Sequence, residues 1–103
     1  GNYVKGLNIA YEKFDATQIQ KDIEGFIIGE KLPRSSKVLF AKIVGGYNPS
    51  TESENEAKFR ALIFSAEIQK SAIAYFQSAK IDLGASKLLK PNQIVLRLTL
   101  SPQ

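Results

Sequence analysis

From Ile94 to Leu100 the chain alternates without interruption: Ile94, Leu96, Leu98 and Leu100 fall on one side, Val95, Arg97 and Thr99 on the other. Side chains of a strand change face at every residue, so this segment buries one face and leaves the other wetter. Whatever else the chain builds, it therefore needs a sheet, an apolar layer to cover one side of it, and a second side that carries Arg97.

The rest of the chain supplies that layer. Leu7, Ile9 and Tyr11 alternate with Asn8 in a first strand within residues 3–13. Asp15 then offers a helix N-cap with Gln18 three positions on, and Phe14 can staple the entry against Ile19. Ile19, Ile23, Phe26 and Ile27 recur at helical spacing, predicting a helix over 15–29 that ends with Gly29 in a left-handed conformation and is kept from resuming by Pro33. The nearly continuous apolar run from Lys37 to Val44 reads as a strand covered on most of its surface.

Gly45-Gly46-Tyr47-Asn48-Pro49-Ser50 breaks that strand into a loop, expected to be flexible. From Thr51 to Leu83 there is neither Gly nor Pro. The alanines and a capping box at Thr51/Glu54 or Ser53/Glu56 predict a long helix, with Phe59, Leu62, Ile63, Ala66, Ile73 and Phe76 as its apolar stripe and a break near Gln69 to Ser71. The competing reading makes residues 58–68 a strand, since Phe59, Ala61 and Ile63 also alternate. A short edge strand at 80–83, stopped by Gly84, and a turn at Lys90-Pro91-Asn92 complete the sequence.

The expected fold is α/β: a small β-α-β-α-β domain whose sheet of three to four strands is covered mainly on one face by two helices, with helical crossovers making several strands parallel. The alternative is α+β, with an antiparallel hairpin at 37–68. At 103 residues with ten aromatics, four Tyr and six Phe, the chain is sized for one core and is read as a single domain over 1–103. No stretch approaches the roughly 20 apolar residues of a membrane helix.

With no Cys and no His, the chain lacks thiol nucleophiles, thiolate metal sites and the commonest general base and metal ligand. The carboxylates are assigned to caps and wet surfaces, the Ser-x-x-Lys spacing is missing, and the loop after Val44 has neither a P-loop ending nor a dinucleotide fingerprint. Glu52, Glu54 and Glu56 at the start of the following helix would repel a phosphate there. No catalytic residue, metal site or cofactor is expected, and the chain is read as a non-catalytic protein-interaction or assembly module acting on a protein partner or on itself.

The expected binding residues are Lys42 and Arg97 on an open sheet face, with Lys37 and Arg34 beside them. The alternative is a small nucleic-acid-binding domain using Lys31, Arg34, Lys37 and Lys42 around the same face, with exposed Tyr or Phe for stacking. The net charge of +4 is spread along the chain, which disfavours that alternative. The lean on location is extracytoplasmic, as the soluble part of a cell-envelope protein, because the chain opens Gly1-Asn2-Tyr3 without a methionine.

Overall fold

A computed structural model describes residues 3–101. Strands β1 (Tyr3–Ala10), β2 (Lys37–Gly46), β3 (Lys80–Ser86) and β4 (Gln93–Ser101) alternate with helices α1 (Ala16–Gly29), α2 (Glu54–Ser71) and the one-turn α3 (Ile73–Phe76). The sheet order is β1-β4-β2-β3. β4 pairs antiparallel with both β1 and β2, and β2 pairs parallel with β3. The helical crossovers do send β1, β2 and β3 in one direction, as expected, but β4 inserts between the first two, so only β2 and β3 are parallel neighbours. The sheet is mixed.

Register sorts the strands into rows. On the covered side Leu7, Leu96, Ile43 and Leu83 stand abreast, and so do Lys5, Leu98, Ala41 and Ile81. Ile19, Ile23 and Ile27 of α1 and Ala61, Phe64 and Ile68 of α2 close over them in one core cluster. Burying each such Ile or Leu contributes roughly 1.5–3 kcal/mol. Ala41 and Gly45 in β2 face Ala57 and Ala61 in α2, and these small residues let helix and strand approach until a β-carbon on Gly45 would overlap the Ala57 carbonyl. Lys5, the one charge on the covered side of β1, places its ammonium 5.8 Å from the centre of the Phe26 ring.

The α+β alternative is overturned: residues 58–68 lie inside α2, so no hairpin forms across 37–68. The capping box decides this locally, with Ser53 Oγ accepting from the Glu56 N–H at 3.3 Å and the Glu56 carboxylate accepting from the Ser53 N–H at 3.4 Å. The break falls at Ala72, just past the expected place, and two side chains satisfy carbonyls freed near it: Gln20 donates to Ser71 O and Lys37 to Ala74 O.

Three local expectations are corrected. Phe59, Leu62, Ile63 and Ala66 do not face the core; Ala57, Ala61, Phe64, Ser65 and Ile68 do. Gly84 does not stop β3, which pairs with β2 through Ser86. Gly29 is not the left-handed residue that ends α1. Asp15 caps α1 as expected, accepting from Thr17 and Gln18 N–H at 3.0 and 3.2 Å, but Gln18 does not close a capping box: its side chain donates to Asp22 Oδ1 at 3.0 Å. At the other end Leu32 N–H bonds Ile27 O and Lys31 N–H bonds Ile28 O, a Schellman arrangement that puts Lys31 at φ 57.

A side chain in that region costs roughly 1–2 kcal/mol relative to glycine. Part of this is returned because glycine is freer in the unfolded chain. Lys31→Gly is therefore expected to stabilise the domain by about 1 kcal/mol, seen as a rise of about 5 °C in Tm. An unchanged or lower midpoint would place the strain elsewhere.

Candidate functional site

The uncovered side of the sheet is a grid set by the same register. Its middle row runs Gly6, Arg97, Lys42, Asp82; one flanking row runs Val4, Thr99, Phe40, Lys80, and the other Asn8, Val95, Val44, Gly84. A β-bulge between Val38 and Phe40 shifts β2 by one residue, which is what brings Phe40, Lys42 and Val44 onto this side while Val38 stays in the core. The face holds a shallow depression of about 610 Å³ lined by Val4, Phe40, Lys42, Val44, Val95, Arg97 and Thr99.

Lys42 and Arg97 are direct cross-strand partners. Like charges placed opposite one another destabilise an antiparallel pair by some tenths of a kcal/mol. One of the two is answered from the next strand: Lys42 Nζ lies 2.8 Å from Asp82 Oδ2, its stem laid against Gly84, and the lysine holds the Asp82 carboxyl below its ordinary range. Arg97 is exposed, and neither of the ion pairs found among the described residues, Lys42–Asp82 and Arg60–Glu52, engages it. The face thus presents one guanidinium and one half-neutralised ammonium side by side, bordered by apolar residues and, at the edge strand, by Lys80.

The other two residues expected here lie elsewhere. Lys37 donates to the Ala74 carbonyl within α3. Arg34 lines a depression of about 200 Å³ on the helical side, with Glu24, Ile27, Ile28 and Tyr75. There burial, followed by hydrogen bonding to Glu24, raises the Tyr75 phenol above its usual range. Lys31 caps α1. The set Lys31, Arg34, Lys37 and Lys42 therefore does not share a face, and Phe40 is the aromatic on the open side.

Missed from the sequence were Asp82 as partner of Lys42, and Phe40 and Val44 as members of the face. Phe40, Lys42 and Val44 do stand at i, i+2 and i+4. That signal is masked because the bulge before Phe40 breaks the alternation with Val38 and because apolar residues occupy both sides of β2.

The loop after β2 is tied down, contrary to its reading as flexible. Asn48 O accepts from Thr51 and Glu52 N–H, and Asn48 Oδ1 accepts from Ser50 N–H at 2.9 Å. Arg60 closes it from α2, donating to both Glu52 oxygens at 2.5 and 3.1 Å and to Gly46 O at 2.8 Å. Hydrogen bonding from Arg60 lowers the Glu52 carboxyl below its ordinary 4.5. The Arg60 guanidinium at this junction is thus held internally by Glu52, and Glu54 and Glu56 lie in the first turn of α2.

Both depressed carboxylates fix the sign of a pH effect. Their contribution to stability is complete above their ordinary values and is lost as pH falls through the depressed ones. The urea midpoint is expected to fall steadily below about pH 4.5, and the fall should be shallower in Glu52→Gln, which starts from a lower midpoint at pH 7. Parallel curves for the two proteins would show that the Arg60 latch carries no pH-linked stability.

Among the described residues no cluster of three or more carboxylates is placed to hold a metal ion, and no helix is long and apolar enough to cross a membrane. In comparisons with known proteins the chain matches no family model, no curated protein and no solved structure.

Proposed function

We propose that the chain is a non-catalytic protein-interaction or assembly module that engages its partner through the open face of the sheet. The observation that carries this is the pair Lys42 and Arg97, held in register beside each other on an uncovered and otherwise largely apolar face. A face serving only stability would alternate the signs of its charges. Two adjacent cations ringed by Val4, Phe40, Val44 and Val95 suit a partner that brings a carboxylate and an apolar surface together.

Nucleic acid is the less supported partner. One aromatic gives little stacking surface, and the cations that would track a phosphate backbone are divided between the two sides of the domain.

The test is to put a photo-crosslinking amino acid at Phe40, and separately at Lys21 on α1, in cells that naturally make the chain. A discrete protein adduct at Phe40 that is absent at Lys21 and is lost in Arg97→Glu supports the reading. A nucleic-acid adduct at Phe40 would move the function to the other class, and no adduct above the Lys21 control would defeat both.

A further inference from the structure

We infer that the partner of the open sheet face is the outer face of α2 on a second copy of this chain, so that copies join head to tail. The inference rests on the interaction reading above and names its partner.

Helix α2 carries two apolar stripes. One is buried. The other, Phe59, Leu62, Ile63 and Ala66, faces solvent, with Phe59 61% exposed, Leu62 50% and Ile63 40%. These residues follow helical spacing, i, i+3, i+4 and i+7, so they form a continuous strip. An apolar stripe on a helix is normally the side that another surface covers. Here the described residues flank only the strip's Ile63 edge, through Tyr11 and Phe14, and leave Phe59 and Leu62 open.

The two surfaces match in size and chemistry. The helical strip, extended to its polar ends at Asn55 and Lys70, is about 22 Å long at 1.5 Å per residue. The four-strand, three-row grid is roughly 14 Å on a side between its outermost positions, from strand spacings of about 4.8 Å and rows about 6.8 Å apart, so it seats the apolar stretch from Phe59 to Ala66, about 10 Å of that strip. The helix brings the exposed acid Glu67 to the flank next to Ile63, with the Glu56 carboxylate near it at the helix's own cap, and the sheet brings Arg97 and Lys42. The geometry is also one this molecule already uses, since α2 packs its other stripe on the far side of the same kind of sheet.

The two surfaces point away from each other across the two layers of the domain. A contact between them is heterologous, leaving a free helix at one end and a free sheet at the other. Such a contact buries about 800 Å² in total, at the weak end of specific interfaces. The expected association is therefore of the order of 10⁻⁴ M, with adducts longer than dimers at high concentration.

Sedimentation of the purified chain between about 0.02 and 1 mM tests this at 0.15 M salt, where the Debye length of about 8 Å screens net charge but not a close ion pair. The average mass is expected to rise to about twofold or more. Arg97→Glu, which blocks the sheet, and Phe59→Glu, which blocks the helix, should each stay monomeric while keeping the wild-type circular dichroism. Mixed one to one they should form dimers and nothing larger, because one intact helix and one intact sheet remain.

A wild type that stays monomeric over the range overturns the inference. So does association lost in Arg97→Glu but untouched in Phe59→Glu, which would make the contact sheet to sheet. The photo-crosslink at Phe40 separates this failure from failure of the broader reading: an adduct to a different protein, with a monomeric pure chain, removes the self-assembly and keeps the interaction module.

Discussion

Gly46→Ala is expected to cost the domain most of its stability. A β-carbon at this position would overlap the Lys90 carbonyl oxygen and press on Leu89 within 2.8 Å. Neither obstacle is a flexible side-chain end. Lys90 O is already bonded to Gln93 N–H at 2.9 Å in the turn that launches β4, and Gly46 O is bonded to Arg60. Movement must therefore come from backbone on both sides at once. Overpacking in a yielding site costs about 1–3 kcal/mol; with two fixed backbones the loss should exceed about 4 kcal/mol. That is a large part of the 5–15 kcal/mol typical of small domains. Thermal unfolding should move down by about 15 °C or more, or the cooperative transition should vanish. Gly6→Ala, which meets open space, is the control and should change the midpoint by little. Equal behaviour of the two variants would mean that the junction of β2 with the β3–β4 connection is not packed as described.

Leu96→Ala should cost about 3–4 kcal/mol. Leu96 is wholly buried at the centre of the covered face, with Leu7 and Ile43 abreast of it. The loss combines the removed transfer energy with a cavity that fixed strands cannot close. Val95→Ala, one residue away on the open side, should cost under about 1 kcal/mol, because its neighbours there leave it partly in water. Urea unfolding of the pair is thus a direct reading of which side of β4 the core occupies. Comparable losses at both positions would contradict a one-sided sheet.

That one-sidedness was legible in the sequence, and for a simple reason. In β4 only one side is apolar, so period-two alternation reports burial without ambiguity. The α1 cap at Asp15 and the Ser53–Glu56 box were legible too, because capping depends on residues three apart. The α2 stripe was misassigned because the helix has two apolar sides, and periodicity ranks residues by size and hydrophobicity. The fold instead seats the smaller ones, Ala57 and Ala61, against Ala41 and Gly45, and turns Phe59 outward. Gly29 was read as the left-handed end of α1 because glycine has the lowest barrier there. The chain instead takes that conformation two residues later, where Leu32 can return to the core beside Ile27.

The site was half legible. Lys42 and Arg97 could be placed on the open side from alternation alone, but their adjacency depends on sheet order, which local patterns do not encode. For the same reason Arg34 and Lys37, near in sequence to Lys42, were grouped with it. A proline loop and the start of a strand separate them from it in space, and each took a partner or groove on the helical side.

Placing the last strand in the middle of the sheet has a consequence for biosynthesis. β1 and β2 make no ladder with one another; each is hydrogen-bonded to β4. While the ribosome is still adding residues 93–101, the N-terminal strand has no neighbour to zip against. Until β4 is made, β2 can pair with β3, but β1 stays an unpaired, half-apolar strand. Contacts this distant along the chain also slow folding. Emergence of residues 93–101, rather than of the first half, is the event that commits the domain to the native state, and deleting β4 would leave β1 with no ladder to the β2–β3 pair.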